Sequence, residues 1–258
     1  MLLAIDAGNT ETVVGLFDGS ELIDHWRINA NPDRTSDELA LLLQEFLAFH
    51  GHSFDDDVAG MVVSSVVPRT TKSLREMSER YFGFDAVVLE AGVRTGMPIL
   101  YDNPREVGPD RIANAVAALD QYDPPLVIVD FSGTATILDA VSSKGEYLGG
   151  VLVPGIEVGL DALVGRAAML RGVEIQEPRS VIGRSSQEAI QSGVVHGMGS
   201  LVDGVVGRIE RELGVVATVL ATGTLADLMT RFCDRIDHVE PWLTLRGLRI
   251  IFEKNRTR

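Results

Sequence analysis

Two stretches of the chain join an apolar run to an acid, a turn of small residues and a threonine. Leu2-Leu3-Ala4-Ile5 leads into Asp6-Ala7-Gly8-Asn9-Thr10, and Leu126-Val127-Ile128-Val129 leads into Asp130-Phe131-Ser132-Gly133-Thr134. Glycine in a tight turn lets backbone N–H groups come close to phosphate oxygens. An aspartate at a strand end holds a cation directly or through water, and a threonine hydroxyl hydrogen-bonds a phosphate. A plain hairpin turn also uses Asp, Gly and Asn, but the second copy favours phosphate. The chemistry expected is ATP held between two similar halves.

A second block, Tyr101-Asp102-Asn103-Pro104-Arg105-Glu106-Val107-Gly108-Pro109-Asp110-Arg111, places an acid beside a base where a helix begins. Asp110 is either the N-cap of that helix or a general base, with Arg111 and the helix N-terminus favouring anions. Phosphoryl transfer to an alcohol needs both a carboxylate that takes the hydroxyl proton and positive charge near the moving group. Gly149-Gly150 and Pro154-Gly155 mark close backbone approaches or structural turns. Thr222-Gly223-Thr224 either meets a nucleotide or turns the chain. The five histidines are scattered without metal-ligand spacing, and Cys233 reads as a buried structural thiol. No P-loop, zinc pattern or nucleophile elbow is present.

The elements that must carry these residues follow from periodicity. Strands are expected over 2–6, 12–17 and 22–29, with Asp18-Gly19 as a turn, so the first sheet starts as an antiparallel meander. Thr35 and Glu38 have capping-box spacing ahead of an amphipathic helix through Leu39, Leu42, Leu43 and Phe46. A strand at 59–67 stops at Pro68. A helix around 70–82, a strand at 86–89 and a helix at 110–119 follow. The pattern then restarts: a hairpin over 126–139, strands at 147–148 and 151–153, helices at 157–168 and 186–211, a strand at 215–221 and a last helix from Leu243. This is α/β with mixed sheets in two lobes, divided near Pro124-Pro125 into residues 1–117 and 118–258.

With 258 residues the chain suits one large domain or two small ones. The formal net charge of -14 argues against non-specific nucleic-acid binding and against an anionic membrane surface, but not against an anionic substrate in a local basic pocket. No apolar run approaches the ~20 residues of a membrane span, and the N-terminus lacks a signal peptide's basic region. A cytoplasmic protein is expected, with no nucleic-acid or membrane partner.

Asp6-x-Gly-Asn-Thr10, Ser64-Ser65-Val66-Val67-Pro68, the Tyr101–Arg111 block, Gly149-Gly150 with Pro154-Gly155, and Ile182-Gly183-Arg184-Ser185-Ser186 resemble, in order and spacing, the type III pantothenate kinases of bacteria. These belong to the acetate and sugar kinase/Hsc70/actin superfamily, and the resemblance runs along essentially the whole chain. It implies two similar ribonuclease H-like (actin-like ATPase) lobes, with mixed sheets flanked by helices and a cleft between them. The implied reaction is phosphorylation of pantothenate by ATP to 4′-phosphopantothenate, the first step of coenzyme A synthesis, by a homodimer that uses Mg²⁺ or a similar divalent ion and K⁺ or NH4⁺. By match, Asp6, Ala7, Gly8, Asn9, Thr10, Glu11, Thr12 and Val13 form the first ATP-phosphate loop, with Asp6 near the divalent ion and Thr134 as a second phosphate contact. Asp110 matches the catalytic base. Tyr101, Gly108, Pro109, Asp110, Arg111 and Ser186 match the pantothenate site, and Asp130 matches the monovalent-cation ligand.

Within the resemblance, Ser132 is an extra residue between Phe131 and Gly133, which shifts the loop by up to ~3.5 Å unless it is absorbed as a bulge. Glu11 adds negative charge to the first loop, and Thr224 stands where a second glycine is usual. A competing reading is a catalytically impaired kinase-fold relative with a regulatory or transcription-accessory role, favoured by the altered loop. A kinase for a different alcohol is a third reading, against which Tyr101-Asp102-Asn103-Pro104 argues.

Overall fold

The structure is a computed structural model that describes residues 1–166 and 173–256. In chain order the elements are β1 (Leu2–Ala7), β2 (Glu11–Asp18), β3 (Glu21–Asn29), α1 (Ser36–Phe49), α2 (Phe54–Asp57), β4 (Gly60–Ser65), α3 (Pro68–Met77), β5 (Val87–Val88) and α4 (Pro109–Gln121). They continue with β6 (Leu126–Asp130), β7 (Ala135–Val141), β8 (Tyr147–Pro154), α5 (Ile156–Arg166), α6 (Ser186–Leu213), β9 (Thr218–Thr222), α7 (Ala226–Met229), β10 (His238–Val239) and α8 (Leu243–Asn255). The helix expected over 157–168 is α5 as far as Arg166; residues 167 and 168 lie outside the described residues.

The chain forms two compact units. One holds Met1–Met97, Asp102–Ala117 and Leu243–Arg258; the other holds Pro98–Tyr101 and Ala118–Trp242. The sheet of the first has the order β3-β2-β1-β4-β5, and that of the second β10-β9-β6-β7-β8. Read outward from the central strands β1 and β6, the two are the same. Each central strand pairs antiparallel with the next strand in sequence and parallel with β4 or β9. This is the ribonuclease H-like arrangement, present twice. β1 and β6 are buried along nearly their whole length, as suits strands covered on both faces.

Local signals account for most boundaries. Thr35 caps α1 with a complete capping box, satisfying donors that a helix start leaves open. Gly214 ends α6 in the left-handed conformation, φ 71°. Val215 and Val216, expected in a strand, are exposed and precede β9. β8 runs unbroken through Gly149-Gly150, although that pair was expected to separate two strands. No helix among the described residues is long and apolar enough to cross a membrane.

Each unit has its own core. Leu3, Ile5, Leu16, Leu43, Leu47 and Met61 meet in the first, and Val127, Val129, Leu138, Val195 and Val202 in the second. Full burial of one such side chain contributes roughly 1.5–3 kcal/mol. A sheet so anchored resists slippage, because a one-residue slip would turn every side chain to the opposite face.

The last helix departs from the simple division at residue 117. α8 packs in the first unit, not the second, and buries Leu245, Leu248 and Ile251 there. It bears directly on α4: a Cβ on Gly247 would strike the backbone carbonyl of Ala113. Three residues before Gly247, the Thr244 hydroxyl donates to Asn114 Oδ1 at 2.7 Å. α4 carries Asp110 and Arg111, so this clamp fixes the helix on which they stand. Gly247→Ala forces α8 off α4, and the melting temperature should fall by roughly 5 °C in a thermal melt.

Candidate active site

The two acidic loops share one geometry. Asp6 pairs with Val13 across the β1–β2 hairpin and lies in register with Ser64 on β4. Asp130 pairs with Ile137 across the β6–β7 hairpin and lies in register with Thr222 on β9. Each aspartate therefore pairs with the residue seven positions on. The residues three and four positions past each aspartate, Asn9 and Thr10 or Gly133 and Thr134, are exposed. The threonine six positions past it, Thr12 or Thr136, is buried. Exposed turn backbone with a threonine, above an inward-facing threonine and a strand-end carboxylate, suits an oxyanion with an accompanying cation.

In the first loop the Gly8 N–H donates to the Glu11 carbonyl at 3.0 Å. The charge Glu11 adds is partly offset, since its carboxylate lies 3.6 Å from Arg27 Nη1. Ser64 beside Asp6 is fully buried, and its hydroxyl has no hydrogen-bond partner.

The second loop takes up Ser132 without a break in register. The Ser132 N–H donates to Asp130 Oδ1 at 2.9 Å, and its hydroxyl also donates to that oxygen. Gly133 completes the turn at φ 68°, a conformation glycine adopts without strain. The expected displacement of the loop is therefore absorbed by a local side-chain turn. Thr222-Gly223-Thr224 backs this loop. The Phe131 N–H donates to the Thr222 carbonyl at 2.9 Å, and a Cβ on Gly223 would lie 2.7 Å from Asp130 Oδ1. Thr224, Gly155, Glu157, Gly133 and Thr136 line a small recess beside it. Sequence reasoning gave Thr222 and Gly223 no firm role; the matching positions of Ser64 and Thr222 at the ends of β4 and β9 are a signal visible only once the two halves are aligned by topology.

Asp110 is not an N-cap. The Ile112 N–H donates to the Gly108 carbonyl at 3.2 Å, and the helix opens with Pro109, so Asp110 lies inside the first turn. Its Oδ1 is shut away from solvent and has no hydrogen-bond partner. Burial pushes its carboxyl above the ordinary carboxylate range, against the opposing pull of the Arg111 backbone N–H and the Arg111 charge. Arg111 itself is buried. The intervening residues form an exposed, self-bonded turn: Asn103 Nδ2 donates to Glu106 Oε1 at 2.7 Å, and Asn103 Oδ1 accepts from the Arg105 N–H at 3.3 Å.

Of the residues singled out from sequence, Asp6 to Val13 and Gly108 to Arg111 belong to the first unit, and Tyr101, Asp130, Thr134 and Ser186 to the second. Ser186 opens α6 and is exposed, directly after the capping Ser185. Among the described residues no group of three or more His, Cys, Asp or Glu side chains is placed to hold a metal ion. A divalent ion at Asp6 would take its remaining ligands from water or a bound anion.

Two ribonuclease H-like units, each with an aspartate-headed turn at the end of its central strand, define the class of actin-like ATPases and sugar kinases. Consistent with this, the chain is similar in structure to (R)-2-hydroxyglutaryl-CoA dehydratase component A of Acidaminococcus fermentans, with a TM-score of 0.56 and 15% identity, and to the Lmo2764 protein of Listeria monocytogenes.

 Each of these two solved structures spans 99% of this chain and 99% of its own, and the Listeria monocytogenes protein has a TM-score of 0.55 and 13% identity. The chain belongs to the type III pantothenate kinase family, whose model matches residues 2–208. A type III pantothenate kinase of Streptomyces griseus is 51% identical over 265 residues, covering 100% of both chains. One of Frankia alni is 52% identical over 256 residues, covering 99% of this chain and 100% of its own.

Two measurements check the Asp110 environment. A Cβ on Gly108 would collide with Asp110 Oδ1, so Gly108→Ala should displace the carboxylate and lower turnover about 100-fold while circular dichroism stays native. Because the folded carboxyl is raised, it favours folding when protonated, and that stability is lost as pH rises from the ordinary carboxylate range through the raised value. Asp110→Asn should therefore raise the melting temperature at pH 7.5, with the gain shrinking toward pH 4 in scanning calorimetry.

Proposed function

We propose that the chain transfers the γ-phosphoryl group of ATP to the 4′-hydroxyl of pantothenate, giving ADP and 4′-phosphopantothenate, the first step of coenzyme A biosynthesis. Family membership over the full chain supports the reaction. The observation that carries the mechanism is the unbonded, solvent-shielded Oδ1 of Asp110, with its raised pKa. A base whose pKa is drawn toward the working pH is suited to accept a proton during transfer.

Asp110 accepts the hydroxyl proton as the alcohol oxygen forms its bond to phosphorus and the bond from phosphorus to the ADP oxygen breaks. Arg111 supplies positive charge beside it and suits the pantothenate carboxylate. Gly108 and Pro109 shape the entry to α4, and Tyr101 and Ser186 complete the pantothenate contacts. Asp6 through Val13 cradle the ATP phosphates, with Thr134 as the contact from the second loop. Asp6 would hold Mg²⁺ or a similar divalent ion that travels with ATP; the orphaned Ser64 hydroxyl beside it fits a site whose polar groups are completed by ligand. Asp130 would hold K⁺ or NH4⁺: it is buried, Ser132 fixes the orientation of its carboxylate, and glycine at 223 avoids a Cβ that would press on Oδ1. Such an ion offsets phosphate charge where these loops contain no lysine. The reading includes a homodimer in the cytoplasm.

The regulatory alternative rested on the altered second loop. That loop keeps its register, and full-length relatives at about half identity are named as kinases, so the alternative is not favoured.

The test is a coupled ADP-release assay with pantothenate, ATP, Mg²⁺ and K⁺, omitting each in turn. Turnover should need all four, and exchanging K⁺ for Na⁺ should lower it strongly. Asp110→Asn should reduce kcat by about 10³-fold or more. ADP release that ignores pantothenate would refute the reaction, and equal rates in K⁺ and Na⁺ would remove Asp130 from its role.

A further inference from the structure

Tyr101 is the one member of the Tyr101–Arg111 block that belongs to the second unit, and Tyr147 on β8 is what fastens it there. The Tyr147 N–H donates to the Pro98 carbonyl at 2.9 Å, and the Leu100 N–H donates to the Tyr147 carbonyl at 2.8 Å, making a parallel bridge with Ile99. The Tyr147 ring stands 6.5 Å from the Tyr101 ring, centroid to centroid, at 47°, within the range of favourable aromatic pairs. Two residues on, Gly149 has φ 122°, and a Cβ there would sit 3.0 Å from the Tyr101 ring. The Tyr101 ring thus rests on bare backbone on one side and meets a second ring.

The main-chain bridge needs no particular side chain, and a phenylalanine would fill the same ring space. Tyr147 nevertheless carries a hydroxyl into a fully buried position, where it donates to Asp139 Oδ1 at 2.8 Å. Asp139 is itself buried on β7. A buried hydroxyl and a buried carboxylate are costly to desolvate, and together they fix a ring's orientation in a way packing alone does not. We propose that Tyr147, locked by Asp139, is a positioning residue that sets the Tyr101 ring for pantothenate. The proposal rests on the reading of Tyr101 as a pantothenate contact.

Steady-state kinetics on Tyr147→Phe, Asp139→Asn, Tyr101→Ala and the Tyr147→Phe/Tyr101→Ala double variant test it. Tyr147→Phe and Asp139→Asn should each raise KM for pantothenate by roughly 10-fold, with kcat and KM for ATP within about two-fold of the parent. Tyr101→Ala should raise KM for pantothenate too, and in that background Tyr147→Phe should add nothing, because both act through the same ring. Should Tyr147→Phe fail to fold, Asp139→Asn with calorimetric pantothenate binding gives the same reading. A raised KM in Tyr101→Ala with no change in Tyr147→Phe and Asp139→Asn overturns the proposal and leaves Tyr101 as a contact. An unchanged KM in Tyr101→Ala removes that contact, and the proposal with it. Equal losses for pantothenate and ATP would mean general loosening and also overturn it.

Discussion

A carboxylate oxygen closed off from water and left without a hydrogen bond sits at the first turn of α4. An unsatisfied buried polar atom costs about 1–3 kcal/mol, so Asp110 persists only because its surroundings are over-determined. Pro109 fixes the helix entry, Gly108 leaves room for the carboxylate, and α8 bears on α4 through Gly247 and Thr244. The residues that build the clamp come from the far end of the chain, and the acid they hold comes from its middle. The first unit is therefore incomplete without Leu243–Asn255.

The duplicated sheet explains why two aspartates stand in equivalent positions without being equivalent. Both stand at the end of a central strand, both pair with the residue seven positions on, and both have a hydroxyl residue in register on the parallel neighbour. They differ in what surrounds them. Asp6 is half-buried, and the Ser64 hydroxyl beside it is unbonded. Asp130 is buried and receives both the N–H and the hydroxyl of Ser132. One skeleton thereby yields one carboxylate beside an uncommitted donor and one already held in a fixed orientation.

Much of this was legible locally. The capping box at Thr35, the hairpin turns and the repeated Asp-turn-Thr pattern depend on residues within a few positions of one another, and periodicity and turn chemistry report those directly. The position of α8 was not legible, because an amphipathic face announces that it will be buried without naming its partner. Whether Asp110 caps α4 or lies within it turned on a single backbone bond, Ile112 to Gly108, and proline spacing alone fits both. Ser132 read as a disturbance because loop length was counted apart from the side chain that absorbs it. Tyr147 and Asp139 escaped notice because the segment they hold, Pro98–Tyr101, is distant in sequence.

The second unit's hold on Tyr101 divides the Tyr101–Arg111 block between two cores. Asp102 to Arg111 belong to the first unit, whereas the segment ending in Tyr101 is bonded to β8 of the second through Pro98 and Leu100. Between them lies an exposed turn whose hydrogen bonds are internal, from Asn103 to Arg105 and Glu106. A turn that satisfies itself transmits little strain to either neighbour, so the acid and the aromatic ring can each be fixed by their own core. Asp110 is thus held by the α4–α8 clamp and Tyr101 by β8, and substitutions on one side should leave the other largely unaffected.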